Sequence, residues 1–578
     1  MKNCLDKYHK EISEIEHLQD FISNLDESNV VLTIEAIKTS NLIQTPYNLK
    51  IMIKIIGRLI KYRKKQIQCF FTLIDEIFPL ISANFSKSEI MHLFSQKIIF
   101  LKFLHDKYIT VEDLVNFYGV GSTKIQYFYP EVKNYLSKNP FFLSQLEDPS
   151  KYKYIYEYFT SKEGENIEFA DDPRLQAGNI DKLSILIQKD DIDTFQKTVS
   201  QNNIDLRHHK IEISNFELTK SFPERSATLI EYAAFHGSLK IFKFLLINNT
   251  TFSAQLFQCA FCGRNNEIIH LAEKMTKNMD ISDSLINAMS LSIIFHYDEL
   301  SEYLYENYEI PMFFKDFPTS VYFENYSFFF NHINDFNNEY EELLSKEDVT
   351  GDDKETFDTA KVVIANIITM CAGNVCPILL KIAINFKNAD LNEPIHLLFT
   401  KKIWENNGAT NPLTYAIQTF NNENAKFLIS LDSVDLDYKL SDRITPFIWA
   451  CYVGNMEMVE LLYSKNVDAS IVIQESNENA LHIATRRDHL DVVKFLIDLN
   501  IYDLNIKNEQ GEAAIDTAAR LGYKEIFNFL KSQNGIEFDN ELKPNEERYY
   551  PSNFKSPISM RTQFFNSLKE NIGSCLLI

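Results

Sequence analysis

The stretch Thr445-Pro446-Phe447-Ile448-Trp449-Ala450, followed by Gly454-Asn455 and then Met458-Val459-Glu460-Leu461-Leu462, decides the fold of this chain. The same short pattern returns as Asn479-Ala480-Leu481-His482-Ile483-Ala484 and as Ala513-Ala514-Ile515-Asp516-Thr517-Ala518. Its small residue recurs every 34 residues, at Ala416, Ala450, Ala484 and Ala518. A fixed period of this length marks a stack of helical units, each too small to bury its apolar face alone. Thr445 fits a helix N-cap whose hydroxyl accepts a backbone N–H, and Pro446 fits the first helical position, where no donor is needed. The repeated alanines let two helices pack closely, and Gly454 and Gly522 permit a left-handed turn between them. Asn508-Glu509-Gln510-Gly511 supplies a finger-like turn between successive units.

Composition agrees with a helical stack. Over 578 residues, 45% hydrophobic and 13% aromatic content exclude disorder as the overall state, and only 15 glycines favour helices. A net charge of −22 and a pI of about 5.1 repel phosphate backbones, so nucleic acid is not an expected partner. Met1-Lys2-Asn3-Cys4-Leu5-Asp6-Lys7 carries charges where a signal peptide needs an apolar core, and the 8 scattered cysteines read as reduced thiols. A cytoplasmic protein is expected. Val362 to Leu380 is uncharged and about as long as a membrane span, but Asn366, Thr369, Gly373, Asn374 and Pro377 interrupt it. Its centre, Cys371-Ala372-Gly373-Asn374, reads as a turn between two buried helices.

Outward from the regular repeats, the chain divides into five segments. Residues 1–165 form a helical N-terminal region, in which the basic Lys61-Tyr62-Arg63-Lys64-Lys65 reads as a solvated turn between two helices. Residues 166–333 carry a degenerate stack of shorter period. Its best copy is Thr228-Leu229-Ile230-Glu231-Tyr232-Ala233-Ala234-Phe235-His236-Gly237 with Lys240 to Leu246, and a weaker one follows at Cys259-Ala260-Phe261-Cys262-Gly263 with Asn266 to Leu271. Residues 334–358 are acidic and read as a flexible linker, 359–532 hold the regular repeats, and 533–578 read as a mobile tail.

The finger turn, the T-P-L-H-x-A start, the G-N turn and the E-x-L-L second helix together resemble the ankyrin repeat. That resemblance implies a mainly all-α fold: an α-solenoid of helix pairs with short β-turn fingers, preceded here by the helical N-terminal region. The upstream copies, I-E-Y-A-A-F-H-G and C-G-x-N-N-E-I-I-H-L, resemble the ankyrin-like domain of unknown function abundant in trichomonad protists, which ordinary ankyrin repeats commonly follow. These copies lack Thr-Pro and shorten the finger, which removes the expectation of β-hairpins there. The resemblance brings no catalytic residue with it.

No H-E-x-x-H, G-x-S-x-G or Walker pattern occurs, and in Gly119-Val120-Gly121-Ser122-Thr123-Lys124 the lysine follows the hydroxyls, the wrong order for a phosphate loop. Cys259 and Cys262 have no second ligand pair at zinc spacing and read as small core residues. No cofactor and no metal is expected, and the chain does not read as an enzyme. It reads as a scaffold for protein partners on the concave face of the repeats. Counting from each alanine, the inward helix positions are Tyr452, Arg486, Arg487 and Arg520, and the facing finger positions include Glu478 and Glu512. The arginines, with Tyr452 as aromatic anchor, form a cationic strip suited to an acidic segment; pairing of those arginines with Glu478 and Glu512 is an equal alternative. Cys575-Leu576-Leu577-Ile578 reads as a prenylation box, which gives an alternative role as a peripheral membrane adaptor lipidated at Cys575.

Overall fold

The computed structural model describes residues 1–94, 96–118, 125–136, 172, 174, 182–212, 226–308, 316–345, 352–396, 409–440, 444–473 and 476–538, and the architecture is mainly α-helical. The chain separates into two compact units, one from Tyr8 to Phe336 and one made of Met1–Lys7 with the chain from Asn337 onward.

In the first unit, the N-terminal helices gather around Pro46–Tyr62. Thr45 caps this helix by accepting from Asn48 N at 3.1 Å, with Pro46 at the first helical position. Leu49, Ile51, Met52, Ile53, Ile55, Ile56, Leu59 and Ile60 are all fully buried along it. An apolar surface on nearly every side makes this a central helix rather than an amphipathic cover. Gly57 lets Phe94 of a neighbouring helix come close, since a Cβ there would lie 3.1 Å from the Phe94 carbonyl oxygen.

The same unit continues as helix pairs: Lys182–Gln188 with Ile192–Gln201, Leu229–Phe235 with Leu239–Ile247, Gln255–Gly263 with Asn266–Thr276, Ser282–Phe295 with Asp298–Asn307, and Asp316–Tyr322 with Tyr326–Ser345. Each turn inside a pair holds one left-handed residue: Asp190, Gly237, Arg264, His296 and Glu324. Only one of the five is glycine, because the turn geometry repeats while the letter does not. The absence of β-hairpins expected upstream is corrected by an antiparallel strand pair, Lys210–Glu212 with Ser226–Thr228, which leads directly into helix Leu229–Phe235. Thr228 and Glu231 close a capping box at that helix start, so the strand hands over to the helix without an unpaired donor.

The basic run at 61–65 is only in part the solvated turn that its charge suggests: Lys65 is exposed, but Arg63 is not. Arg63 is buried, and its guanidinium donates to the carbonyls of Phe295 and His296 at 2.6–2.9 Å and to that of Ser23. Those carbonyls end a helix, where four lack intrahelical partners and carry partial negative charge.

The second unit holds Asp352–Gly373 with Pro377–Ala383, then Pro412–Gln418 with Asn422–Ile429, Pro446–Val453 with Met456–Ser464, Ala480–Arg486 with Leu490–Asp498, and Ala514–Leu521 with Lys524–Lys531. Ala416, Ala450, Ala484 and Ala518 are fully buried where paired helices meet. Thr445 accepts from Ile448 N at 3.3 Å, and Gly454 and Gly522 sit at φ of 72° and 75°. The fingers close as turns, with Asn508 N donating to the Glu512 carbonyl at 2.9 Å and Ile473 N to that of Glu478 at 2.9 Å. One further strand pair, Ile395–His396 with Ala409–Thr410, precedes helix Pro412–Gln418. The uncharged stretch at 362–380 splits at Gly373-Asn374, as its composition implies. The acidic stretch at 334–358 is helical through Ser345 and again from Asp352, where a flexible linker was expected.

Candidate partner-binding face

A helix stacked on its neighbour leaves carbonyls at its C-terminal end that only the next unit can reach. At five of the turns the residue after the left-handed position supplies the donor. Asn421 Nδ2 donates to the Asn374 carbonyl, Asn455 Nδ2 to that of Ile417 at 3.2 Å, and His489 Nε2 to that of Tyr452 at 3.1 Å. Upstream, the Ser238 hydroxyl donates to the Ile187 carbonyl and Asn325 Nδ2 to that of Ile293 at 3.1 Å. Two residues before Ala484 and before Ala233 lies a second bridge. His482 Nε2 donates to the Ile506 carbonyl at 2.9 Å, and at the matching place upstream Glu231 accepts from Ser253 N and Oγ at 2.8 and 2.7 Å. His482 therefore holds finger backbone, the role its position in the repeat implies.

On this frame the candidate residues fall into two groups. Arg486 grips Glu478 through Nε at 3.0 Å and Nη2 at 2.9 Å, and Arg520 grips Glu512 the same way at 2.6 and 2.9 Å. Thr517 Oγ1 adds a bond to Glu512 at 3.0 Å. Burial raises the Glu512 carboxyl, but the Arg520 hydrogen bond and charge outweigh it and hold the group below the usual range. These two-pronged pairs tie finger to helix one repeat apart, and they leave Arg486 29% and Arg520 43% exposed. At the matching register of the preceding repeat, Ile444 and Tyr452 replace the ion pair by a buried apolar one.

Tyr452 and Arg487 form the second group, and both are buried. The Tyr452 ring stacks on Trp449, with centroids 5.2 Å apart, and the Arg487 guanidinium covers its other side at 3.7 Å. An exposed aromatic anchor at Tyr452 is thereby corrected, because Arg487 of the next repeat takes the place a partner would need. Burial lowers the Arg487 guanidinium to about 9 and the His489 imidazole to about 4. Arg487, Asp488 and His489 sit in the turn between Ala480–Arg486 and Leu490–Asp498, with Asp488 at φ 62°.

Cys259 and Cys262 are buried in the upstream core, and burial raises both thiols, which suits packing rather than reactivity. Among the described residues no helix is long and apolar enough to cross a membrane. Among the same residues no cluster of His, Cys, Asp and Glu is placed to hold a metal ion. Cys575 and the Gly119–Lys124 stretch lie outside the described residues. The turn column at Asn421, Asn455 and His489 escaped the sequence reading. Counting five residues on from each repeat alanine finds it.

Residues 447–541 match the family described as ankyrin repeats (3 copies). Over 122 residues the chain is 30% identical to a protein of Saccharomyces cerevisiae described as probable 26S proteasome regulatory subunit p28. That match covers 21% of this chain, and the chain spans about half the length of the curated relative, 53%. The helix pairs between residues 447 and 541, with their fingers, match ankyrin repeats, and the described chain is mainly α-helical.

Proposed function

We propose that this protein is a non-catalytic scaffold that recruits protein partners on the finger-and-helix face of its ankyrin repeats. The observation that carries this reading is the repeated Glu478–Arg486 and Glu512–Arg520 pairing, which holds two partly exposed guanidinium groups at one register. A paired arginine keeps donors outside its carboxylate fork, so an acidic segment of a partner can add to the pair without displacing it. Tyr452 and Arg487 contribute by stiffening this face from beneath. The likeness to a regulatory subunit of a proteasome supports a role among assembled protein subunits, in which repeats position one subunit against another.

The test is capture of partners from the native cell by the full chain and by the Arg486→Glu, Arg520→Glu double variant. Loss of the partners captured by the wild type, with the helical circular-dichroism signal kept, is expected. An unchanged partner set sinks this face. Because Glu478 is buried and charge reversal sets two carboxylates face to face, the variant is expected to lose stability, and capture is compared at a temperature where its helical signal is kept.

A second reading adds a lipid at Cys575 to the same scaffold and rests on the Cys575-Leu576-Leu577-Ile578 motif. Cys575→Ser should then shift the protein from membrane to soluble fractions, and identical partition of the two proteins ends that reading.

A further inference from the structure

Helix Lys524–Lys531 closes the last helix pair, and the chain then makes a turn that is held at two points. On one side Gln533 is tied to the helix end, its N donating to the Leu530 carbonyl at 2.9 Å and its Nε2 to that of Phe529 at 3.1 Å. On the other side Asn505, at the approach to the last finger, clamps the chain with its amide. Its Nδ2 donates to the Gly535 carbonyl at 2.8 Å, and its Oδ1 accepts from Glu537 N at 2.8 Å. Asn392 holds the Ser433 carbonyl and the Asp435 N–H in the same way, at 2.8 and 2.7 Å, so the clamp is a joint that this stack uses twice. Asn534 alone lies between the two fixed points.

Asn534 is exposed, and among the described residues neither its side chain nor the N–H of Gly535 makes a hydrogen bond. Gly535 sits at φ 83° with nothing within 4 Å of the place a Cβ would take. A nitrogen with no bond and no side chain beside it is free to approach the side-chain carbonyl of the residue before it. Other asparagines of the stack are protected. Asn392, Asn424 and Asn505 use their amides in hydrogen bonds. Asn466 and Asn500 are exposed and left-handed, at φ 60° and 55°, but Val467 and Ile501 follow them, and a branched Cβ crowds the nitrogen.

We propose that Asn534 is a self-modification site that loosens the end of the ankyrin stack as the protein ages. The Gly535 nitrogen loses its proton to hydroxide and attacks Asn534 Cγ. An N–C bond forms, the Cγ–Nδ2 bond breaks, and ammonia leaves with a proton taken from water. Water then opens the cyclic imide at one of its two carbonyls, giving aspartate or isoaspartate. In isoaspartate the backbone runs through the side chain, so the link from Gln533 to Gly535 grows by one C–C bond, about 1.5 Å. A shift of that size takes the Gly535 carbonyl, now at 2.8 Å, out of hydrogen-bond reach of Asn505. The clamp opens, and the chain from Gly535 onward is released from it. Arg486 and Arg520 take no part, so this role is separate from partner binding.

The test follows the purified full chain in neutral buffer over days, with peptide mapping by mass spectrometry to score amide-to-acid conversion at each asparagine. Asn534 is expected to convert at least about tenfold faster than Asn466 and Asn500, because no branched side chain shields its neighbour. Its rate should rise about tenfold per pH unit, since the ionised amide nitrogen is the nucleophile. Asn534→Gln, which would have to close a larger ring, should remove the conversion. The isoaspartate form, separated chromatographically, should exchange the Glu537 amide hydrogen about tenfold or more faster than the unconverted chain. Conversion of Asn534 no faster than that of Asn500 overturns the site, and unchanged exchange at Glu537 in the isoaspartate form overturns the loosening.

Discussion

The His489 ring packs against Gly454 and donates from Nε2 to the Tyr452 carbonyl, a place that Asn455 and Asn421 fill in the two preceding units. Burial holds the imidazole near 4, below its ordinary 6.5, so it is neutral in the folded chain. As pH falls, the unfolded chain takes up the proton first. The stabilisation is therefore complete above about pH 6.5, drains away between about 6.5 and 4, and is flat below that. His489→Asn keeps the donor and removes the titration. The variant's melting temperature should vary less across this window than that of the wild type, by the equivalent of about 2–3 kcal/mol. An identical pH profile for the two proteins would show that the ring is already solvated. Gly454 offers a second test at this scale, because a Cβ there would lie 2.8 Å from His489 Cγ at a φ of 72°. Gly511 shares the left-handed φ, 75°, but has nothing within 4 Å. Gly511→Ala is expected to cost about 1 kcal/mol in urea unfolding from backbone strain alone, and Gly454→Ala at least about 2 kcal/mol. Equal costs would mean that the ring yields freely.

Helix Asp352–Gly373 ends on carbonyls that belong to Cys371, Ala372 and Asn374, and Asn424 Nδ2 reaches all three at 3.0–3.2 Å from the following pair. Asn424 is fully buried, so water cannot replace it. Asn424→Ala should destabilise the unit that contains it by about 2–3 kcal/mol, read as faster hydrogen exchange across 360–380; wild-type exchange rates there would contradict the capping role. How much of this was legible follows from what each element depends on. The helix pairs from 446 to 531 were readable because Thr445, Pro446, Gly454 and the alanines act locally: a cap, a fixed φ, a left-handed turn and a small contact. The turn column was not, since Ser238, Asn325, Asn421, Asn455 and His489 perform one task with three different side-chain chemistries. Burial of Tyr452 was hidden for a related reason: its cover, Arg487, comes from the next repeat. The strand pair at 210–212 and 226–228 was missed because its alternation lasts only three residues per strand.

The molecule as a whole carries a charge of −22, and its buried cations divide between two kinds of partner: Arg174 and Lys102 face pairs of carboxylates, while Arg63 faces helix-end carbonyls. Charge balance here is set by backbone dipoles as much as by carboxylates. Arg63→Ala leaves three carbonyls without their donor and is expected to lower the stability of the unit from Tyr8 to Phe336 by about 3–5 kcal/mol. Its signature would be a lower urea midpoint for that unit with the exchange rates of residues 480–531 unchanged; a uniform shift of both regions would assign the effect to the whole chain. The turn column, finally, gives the chain a direction in time. Five helix pairs owe a closing bond to the pair encoded after them, among them Ile187 to Ser238 and Tyr452 to His489. On a ribosome the most recently emerged pair is always the unfinished one, so the stack would set one unit behind synthesis, each newcomer sealing its predecessor.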